Sequence, residues 1–402
     1  MTNILPTIGP ISETKKNIKK ILKYSDLVRI NGSHNTIQWH EKISLRIKSI
    51  NKNSKILLDV PGIKPRTDNN KIIKIQKGEM VIFYHKKKLN KNNKLQIQLT
   101  NALPKIVKNC KTFTLSDGQY EFTLISHNKH YIMGKSKHSF ELLPKKGVNI
   151  PYSEYSDTEQ KKIYKKFLKK AYKVKYDAIG LSFIQNEKIL KELKKAYPKI
   201  VLVAKIENYK AINNINNICE NADVIMIDRG DLSAEIGEKN LFSAIIKISK
   251  KAKEFGKPLI MATENLDSMM NRITPTKSEI VSIEFSLMLN ADKIMLSEET
   301  AIAKNWEKII HWLNGFINNN IFIKNDLENI YSNHSNIIWD LLKRVNNIPI
   351  IIFSKKGFAI ENAFKLNKDI NLTVFTDNPK IATICEFRSK KNFFLVNKFN
   401  NS

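Results

Sequence analysis

The chain has 402 residues, which is enough for two or three domains of ordinary size. Its formal net charge of +30 suggests nucleic-acid binding, but the lysines are spread through nearly every predicted helix and loop, and no nucleic-acid motif occurs. No run reaches 18 apolar residues, and the first residues predict no secretory signal. We expect a cytoplasmic protein with reduced cysteines, no membrane span and no specific nucleic-acid partner.

Eight short apolar runs recur along the chain, and each is followed by polar or glycine residues and then by a lysine-rich amphipathic stretch. Continuous apolar strands that alternate with helices are typical of a parallel sheet covered on both faces. Eight such units that close on themselves predict an α/β protein built on a (β/α)8 (TIM) barrel, with an open doubly wound sheet as the alternative. The runs lie at Ile4–Ile8, Leu27–Ile30, Ile56–Val60, Ala178–Leu181, Ile200–Ala204, Val224–Ile227, Leu259–Ala262 and Lys293–Leu296.

One interval between these runs is much longer than the others. More than a hundred residues separate Val60 from Ala178, and they carry short alternating runs with turn signals such as Asp117-Gly118. This texture predicts a small β domain inserted after the third strand. The expected division is barrel at 1–64, inserted β-rich lid domain at 65–150, barrel again at 151–318, and a shortened α/β C-terminal domain at 319–402.

The carboxyl ends of the strands are where a (β/α)8 barrel carries its chemistry. Six of the eight predicted ends carry an ionisable residue. A purely structural barrel does not need so many converging charges, so the pattern favours an enzyme. The residues concerned are Arg29, Asp59, Lys205, Glu207, Asp228, Arg229, Asp231, Glu264, Glu298 and Glu299.

Two carboxylates on consecutive strands suggest a metal site. Glu207 and Asp231 offer the oxygen ligands that Mg²⁺ or Mn²⁺ prefers. Lys205 lies two residues before Glu207, hence on the same side of the strand, where an ammonium can neutralise a phosphoryl oxygen. Arg29 offers a planar fork for phosphate, and Gly230 lets a carboxylate approach the backbone. The alternative is that these charges form interior salt bridges of the barrel.

Several sequence blocks follow one another in a fixed order over residues 4 to 317. They are Thr7-Ile8-Gly9-Pro10, Arg29-Ile30-Asn31-Gly32-Ser33-His34, Lys205-Ile206-Glu207-Asn208, Arg229-Gly230-Asp231-Leu232, Met261-Ala262-Thr263 and Met295-Leu296-Ser297. Any one block alone is a weak signal, whereas the ordered set is specific. Together these blocks resemble the pyruvate kinase family.

The resemblance implies phosphoryl transfer between phosphoenolpyruvate and ADP, giving pyruvate and ATP. The catalytic positions of the family match Lys205, Arg29 and Thr263. Its substrate-binding positions match the same three residues together with Gly230 and Asp231. In such a reaction the protein supplies mainly positioning and charge neutralisation.

The resemblance also implies a divalent metal and a nucleotide beneath a closing lid. Glu207 and Asp231 match the ligands of Mg²⁺ or Mn²⁺. Closure of the lid domain would exclude water from the site. Assembly into a homo-oligomer is a further expectation. The positions that would contact ADP or ATP are Asn31, His34, Arg66 and Lys146.

A potassium site of the family matches Asn31, Ser33 and Asp59. Members that need potassium generally carry a glutamate where this chain has Lys64. A lysine ammonium is a compact positive charge on a flexible stem, so it can supply the charge that potassium otherwise provides. The resemblance therefore implies that potassium is not required.

The chain departs from the family pattern at four positions beside the expected site. Asp228, Glu264 and Glu298 stand where the family has a small residue, a glutamine and a glycine, and Gln185 stands where an arginine is common. Added negative charge weakens the binding of a trianionic substrate unless it is compensated. Two alternatives therefore stay open: a paralogous Mg-dependent enzyme that acts on another 2-oxo acid enolate, as a kinase or a lyase, and a non-catalytic barrel.

Overall fold

The first part of the chain alternates strands and helices, as its apolar runs predict. Thr14 and Thr36 are the N-cap residues of the two helices: each side chain accepts a hydrogen bond from the backbone N–H three residues later. The elements are β1 (Asn3–Ile8), α1 (Lys15–Ile21), β2 (Leu27–Asn31), α2 (Ile37–Ile50) and β3 (Lys55–Val60). The computed structural model describes residues 2–89, 94–106, 110–319, 349–365, 372–388 and 393–396.

After β3 the chain leaves the barrel and forms several small sheets. The strands are β4 (Ile73–Ile75), β5 (Met80–Tyr84), β6 (Leu95–Gln98), β7 (Lys105–Ile106), β8 (Thr112–Leu115), β9 (Tyr120–His127), β10 (Tyr131–Ser136), β11 (Phe140–Leu142), β12 (Val148–Asn149) and β13 (Ser153–Glu154). Six of them form one sheet in the order β12-β8-β9-β10-β5-β6, while β4 pairs with β11 and β7 with β13. Phe83, Phe113 and Phe122 pack together in its core, with ring centroids 5.1 to 5.7 Å apart.

The chain then returns to the alternation of helices and strands. Two 3-10 helices, Glu238–Asn240 and Asp267–Met270, lie in the connecting loops. The regular elements are α3 (Asp157–Lys170), β14 (Ala178–Leu181), α4 (Glu187–Ala196), β15 (Val201–Ile206), α5 (Tyr209–Asn213), α6 (Ile215–Asn221), β16 (Val224–Asp228), α7 (Arg229–Ile236), α8 (Leu241–Glu254), β17 (Leu259–Ala262), α9 (Lys277–Met288), β18 (Lys293–Leu296), α10 (Glu298–Ala301) and α11 (Trp306–Asn319).

Eight of these strands form a closed parallel barrel in the order β1-β18-β17-β16-β15-β14-β3-β2. The ring closes because β1 pairs on both sides: Asn3 lies opposite Lys293 of β18, and Thr7 lies opposite Arg29 of β2. The eight-stranded barrel is confirmed, and the open doubly wound sheet is excluded.

Alternate residues of each strand face the barrel interior. Leu5, Leu27, Leu57, Val203 and Met226 belong to the buried interior cluster. Because side chains repeat their direction every second residue, the same face continues to the carboxyl end of each strand. The residues that follow two positions later are Thr7, Arg29, Asp59, Lys205 and Asp228.

The described part of the C-terminal region is a small parallel sheet with two helices. Phe387, at the end of the second helix, packs into the barrel interior from the amino-terminal side of the strands. No helix in the described ranges is long and apolar enough to cross a membrane. Residues 320–348, within the expected C-terminal domain, lie outside the described residues. The elements are β19 (Ile350–Phe353), α12 (Phe358–Lys365), β20 (Leu372–Thr376), α13 (Pro379–Phe387) and β21 (Phe393–Leu395).

Candidate active site

A cavity of about 1020 Å³ opens at the carboxyl ends of the barrel strands. All eight barrel strands, or the loops directly after them, contribute to its lining. The opposite side of the cavity, which faces the barrel, is formed by the segment between β3 and β12. The residues of this segment that line it include Arg66, Asp117, Gly118 and Gln119. The charged residues at the strand ends therefore converge on one space between the barrel and the inserted sheets.

Lys205 lies at the floor of this cavity with three carboxylates around it. Its Nζ atom is 2.7 Å from Glu207 Oε1, 3.1 Å from Asp228 Oδ2 and 3.3 Å from Asp59 Oδ2. It also donates a hydrogen bond to Ser182 Oγ at 3.2 Å. The side chain is only 6% exposed. The ammonium is therefore held by protein groups rather than by water.

Burial and neighbouring charges act in opposite directions on the pKa values of this cluster. Burial lowers the pKa of Lys205, but the three carboxylates outweigh burial and raise it well above its ordinary value. Burial raises the pKa of Asp59 and Asp228, but Lys205 brings both below their ordinary values. Glu207 behaves differently, because burial raises its pKa well above the ordinary value despite Lys205. Lys205 thus stays charged, and Glu207 is left short of positive charge.

Arg29 is a second fixed cation beside Lys205. Its Nε donates to Asp59 Oδ2 at 2.9 Å, and its Nη1 donates to Thr7 Oγ1 at 3.0 Å. The other oxygen of Asp59 accepts a hydrogen bond from Ser182 Oγ at 3.3 Å. One buried carboxylate thus holds a guanidinium and an ammonium in place, an arrangement suited to a phosphoryl group.

Three carboxylates of the barrel come close enough to share a cation. Glu207, Asp228 and Asp231 each place one oxygen within 4.8 Å of the others. One oxygen of the fully buried Glu207 accepts the N–H of Phe183, and the other, Oε1, is ion-paired with Lys205 but has no hydrogen-bond partner. Carboxylate oxygens are the ligands that Mg²⁺ and Mn²⁺ prefer. The donor set therefore fits a divalent cation.

Lys64 joins the inserted sheets to the barrel. Its Nζ is 2.9 Å from Asp117 Oδ1 and forms a second ion pair with Asp231. Its stem packs against Gly147, where an added Cβ would lie 2.5 Å from Lys64 Cε, so a larger residue at this position would displace the Lys64 side chain. Burial lowers the pKa of Lys64, but Asp231 and Asp117 raise it above its ordinary value. This buried ammonium is therefore a permanent positive charge at the cavity wall.

Thr263 has a left-handed backbone conformation, with φ at 61°, which is rare for a β-branched residue. Its Oγ1 accepts the N–H of Gly230 at 3.0 Å. The same hydroxyl can donate to Asp228 Oδ1 at 3.0 Å or to the carbonyl oxygen of Ala262 at 2.7 Å. The strained turn thus directs the hydroxyl towards the carboxylate cluster.

Arg229 holds this turn from behind. Its guanidinium donates to the carbonyl oxygens of Thr263 and Glu264 at 3.1 and 2.9 Å, and to Asn265 Oδ1 at 2.7 Å. Its hydrogen bonds therefore fix the backbone of the turn, and Arg229 itself does not line the cavity. The sequence marked Arg229 as a charged strand end and as part of a family block, but it did not indicate this role, since nothing in one sequence reveals which carbonyl groups an arginine will bind.

Three of the four residues expected at the nucleotide line the cavity: Asn31, His34 and Arg66. Burial and the nearby arginines lower the pKa of His34, so its imidazole is neutral at neutral pH. Lys146 does not line the cavity. Its backbone N–H and carbonyl group instead form hydrogen bonds with Thr67, at 3.1 and 2.8 Å.

The three residues expected for potassium also line the cavity. Asn31 Oδ1 accepts the N–H of Ser33 at 3.0 Å. Asp59 Oδ2 lies against both Arg29 and Lys205. This carboxylate therefore already has two cationic partners in the protein itself.

The four departures from the family pattern fall into two groups. Asp228, Glu264 and Glu298 all line the cavity, and burial raises the pKa of Glu264. Gln185 is buried elsewhere: its Oε1 accepts from the N–H of Tyr155, and its Nε2 donates to the Tyr155 carbonyl group, both at 2.8 Å. The three carboxylates thus change the cavity, whereas Gln185 fastens the segment that returns from the inserted sheets.

Several cavity residues carry no signal at a strand end, so sequence reasoning missed them. Trp39 of α2 lines the cavity, and its indole N–H donates to Glu13 Oε2 at 2.5 Å. Such residues come from loops and a helix around the rim, and their positions depend on how these segments fold over the barrel. Further examples are Gln119, Glu238 and Asp267.

Comparison with known proteins gives a consistent result. The family model described as pyruvate kinase, barrel domain, matches residues 1–308. The pyruvate kinase of Thermotoga maritima is 30% identical over 315 residues, which cover 76% of this chain and 67% of that protein. That of Thermococcus litoralis is 31% identical over 314 residues, which cover 75% and 66%. The chain thus spans about two thirds of the length of these two relatives.

Two further similarities extend over nearly the whole chain. The pyruvate kinase of Methanocaldococcus jannaschii is 28% identical over 411 aligned positions, which cover 96% of this chain and 86% of that protein. The crystal structure of pyruvate kinase from Pyrobaculum aerophilum superimposes with a TM-score of 0.80, covering 99% of this chain and 91% of that one at 21% identity, which shows a shared fold. Because the family model matches residues 1–308, most of the chain, this chain belongs to the pyruvate kinase family.

Proposed function

We propose that this protein transfers a phosphoryl group between phosphoenolpyruvate and ADP, giving pyruvate and ATP. The observation that carries the proposal is the pair of cations, Lys205 and Arg29, held by Asp59 beside carboxylates that fit a divalent cation. Phosphoryl transfer depends on positioning and charge neutralisation more than on covalent chemistry by the protein. The cavity floor offers both.

Lys205 and Arg29 would bind the phosphoryl oxygens of phosphoenolpyruvate. Fixed donors of this kind stabilise the charge that develops during transfer, and they need no reorganisation at that moment. Lys205 would remain beside the enolate oxygen after the phosphoryl group has left. Thr263 and Gly230 form the wall next to it, where the substrate carboxylate would bind and where the Thr263 hydroxyl would orient the proton for the methylene carbon.

Glu207 and Asp231 would hold Mg²⁺ or Mn²⁺. Such a cation, when bound, polarises phosphoryl and enolate oxygens. Its presence would also give Glu207 the positive charge that its raised pKa indicates it lacks. Glu207→Gln should therefore raise the Mg²⁺ concentration needed for half-maximal activity at least tenfold, and an unchanged metal titration would place the cation elsewhere.

The nucleotide would lie between the barrel and the inserted sheets. Asn31, His34 and Arg66 already line that side of the cavity. Lys146 would join them only if the inserted sheets move, since its side chain lies outside the lining. Lys64 pairs with Asp117 of the inserted segment and with Asp231 of the barrel, so such a movement would either break one of these ion pairs or carry Lys64 with it.

One observation favours a second candidate, a paralogous enzyme that acts on another 2-oxo acid enolate as a kinase or a lyase. Glu264 and Glu298 add negative charge to the cavity wall. Carboxylates there repel a trianionic phosphate ester unless a cation compensates them. Lys205 and the metal-binding carboxylates would serve this second reaction equally well.

The test is ADP-dependent release of pyruvate from phosphoenolpyruvate, followed with a pyruvate-reducing coupling enzyme. We expect a rate that requires phosphoenolpyruvate, ADP and Mg²⁺ or Mn²⁺. No pyruvate from folded protein at any metal concentration would contradict the proposal. A double variant, Glu264→Gln with Glu298→Gly, restores the family residues at two of the four departures. Pyruvate release by this variant and not by the natural chain would show that Glu264 and Glu298 prevent the reaction, and would favour the second candidate for the natural chain.

A further inference from the structure

Asp228 is the added carboxylate that lies deepest in the barrel. It ends β16, two residues after the interior Met226, so it continues the inward face of the strand. Only 5% of its surface is exposed. Its Oδ2 lies 3.1 Å from Lys205 Nζ, and its Oδ1 can accept the Thr263 hydroxyl at 3.0 Å. It therefore belongs to the floor of the cavity, unlike Glu298, which is exposed at the rim.

The carboxylates around Asp228 outnumber the cations beside them. Asp228, Glu207 and Asp231 each place one oxygen within 4.8 Å of the others. Lys205 is shared between Glu207, Asp228 and Asp59, and Asp59 also faces Arg29. Asp231 pairs with Lys64, which it shares with Asp117. Taking carboxylates out of water without compensation is costly, so such a cluster favours a further cation.

Glu207 provides a second, independent indication that this cluster can bind a cation. Its side chain is completely buried, and its Oε1 atom has no hydrogen-bond partner, although it lies 2.7 Å from Lys205 Nζ in an ion pair that Lys205 shares with two other carboxylates. The other oxygen, Oε2, accepts the N–H of Phe183. Rotating the carboxylate to give Oε1 a new partner would therefore break this hydrogen bond. A buried acceptor in this state is usually completed by water, an ion or a ligand.

We propose that Asp228 is a third carboxylate ligand of the divalent cation, in addition to Glu207 and Asp231. The inference rests on the metal site of the proposed function and adds a residue that the resemblance to the family does not supply. Three protein carboxylates would replace one more water on an octahedral ion than two carboxylates do. The cation would then bind tightly before any substrate is present.

The experiment is titration of the metal-free protein with Mn²⁺ alone, in a calorimeter, without substrates. Water proton relaxation of the Mn²⁺ complex then reports how many waters stay on the ion. We compare the natural chain with Asp228→Ala and Asp228→Asn. Both variants should bind Mn²⁺ at least tenfold more weakly, and the complex of Asp228→Ala should hold about one additional water.

Glu264→Gln is the matched control for charge acting through space. Glu264 lies beside Gly230 in the same cavity wall but outside the carboxylate cluster. Its replacement should change Mn²⁺ affinity by less than threefold and leave the number of bound waters unchanged. Equal affinity and equal water number in the natural chain and in Asp228→Ala would overturn the inference. So would weakening of the same size in Asp228→Asn and Glu264→Gln.

The outcomes separate this inference from the proposed function. If the natural chain releases pyruvate and Mn²⁺ binding is unaffected in Asp228→Ala, only the role of Asp228 is wrong. If Mn²⁺ binding depends on Asp228 but no pyruvate is released, the third ligand stands and the proposed reaction fails. If the natural chain binds no Mn²⁺, both the inference and the assigned metal site are wrong. Circular dichroism of each variant confirms that a lost heat signal does not come from unfolding.

Discussion

The two ends of the barrel carry similar residues and use them differently. At the carboxyl end, charged side chains surround an open cavity, and Lys205 is shared by three carboxylates. At the amino end, α13 closes the barrel, with Phe387 packed in the interior cluster. There Arg388 pairs with the buried Asp292 at 3.4 Å, so the charges fasten the C-terminal helix to the barrel.

This difference shows that ionisable residues at strand ends do not by themselves identify an active site. Both ends bury a lysine: Lys205 at one and Lys293 at the other. Burial lowers the pKa of Lys293 to about 8, because nearby carboxylates only partly offset the loss of water. The pKa of Lys205 shifts in the opposite direction, because three carboxylates raise it above its ordinary value. A cation held by several carboxylates in an open cavity indicates chemistry, whereas a cation beneath a packed helix indicates structure.

The largest effect should be the difference in kcat between variants of the two buried lysines. Lys205→Met removes a charge that the proposed transition state needs, and should lower kcat at least a hundredfold while the fold remains intact. Lys293→Met removes a lysine of equal burial from the closed end, and should leave kcat within about twofold, since no cavity residue is lost. Coupled assays of the two purified variants, with circular dichroism as a check on folding, provide the comparison.

Two results would break this contrast. Retention of more than about a tenth of the rate in Lys205→Met would show that the lysine is only a counter-ion of the barrel. A large loss of kcat in folded Lys293→Met would show that the two ends are linked, and that the C-terminal helix affects the chemistry.

A second prediction concerns stability at the closed end. Phe387→Ala empties a fully buried position and should lower the free energy of unfolding by about 3–5 kcal/mol. Activity measured well below the melting temperature should hardly change. Urea denaturation and the coupled assay on the same preparation test both statements. As a control, Phe358→Ala removes an exposed phenylalanine of α12 and should cost less than about 1 kcal/mol.

The barrel could be predicted from the sequence because its signal is local. Apolar runs of four or five residues mark the strands, and the structure places each strand within two residues of the expected bounds. The inward direction of Asp228 also follows from the alternation Val224, Met226, Asp228, once the parity of the strand is known. The convergence of Lys205 with Arg29 needed only the rule that parallel strand ends meet at one mouth.

Other features depended on contacts between distant segments. The sequence marked Gln185 only as a departure from the family pattern beside the expected site, but its side chain binds the backbone of Tyr155 thirty positions away. Phe387 looks like any apolar helix residue, and its insertion into the barrel depends on how the C-terminal region docks. Lys146 matched a family motif, yet the position of its side chain depends on the orientation of the inserted sheets. No local pattern encodes these contacts.

A third prediction uses a buried carboxyl group behind the open end. Burial raises the pKa of Glu235 to about 8, although Lys64 and hydrogen bonds from Asn149 and Tyr155 oppose the shift. A carboxyl group with a raised folded-state pKa contributes stability that is complete below its ordinary value of 4.5 and is lost as pH rises towards 8. Unlike Asp292 at the closed end, Glu235 has no ion-pair partner among the described residues.

Glu235→Gln imitates the protonated form and so should remove this loss. We expect the variant and the natural chain to be similarly stable at pH 5, and the variant to be more stable at pH 8.5 by on the order of 1 kcal/mol or more. Urea denaturation at the two pH values measures the difference. Glu298→Gln, which changes an exposed carboxylate of the rim, should show no such gain. A variant that is less stable at both pH values would mean that Glu235 is ionised in the folded protein.

The smallest effect should follow the removal of potassium. Lys64 Nζ is buried between Asp117 and Asp231, where the family members that need potassium generally carry a glutamate. Asp59, one of the expected potassium ligands, already has two cationic partners. Side chains of the protein thus supply the positive charge at this part of the cavity: Lys64 beside Asp117 and Asp231, and Arg29 with Lys205 beside Asp59. Activity in tetramethylammonium buffer, at constant ionic strength, should therefore stay within twofold of activity in potassium.

Lys64→Glu is the variant that sharpens this test. It removes the ammonium and places a third carboxylate between Asp117 and Asp231, where an added cation would offset the repulsion. If Lys64 replaces potassium, this variant should become dependent on it, while a variant of an exposed lysine such as Lys145→Glu should not. A tenfold or larger drop of the natural chain without potassium, about 1.4 kcal/mol of barrier, would show that a monovalent cation site still works beside Lys64.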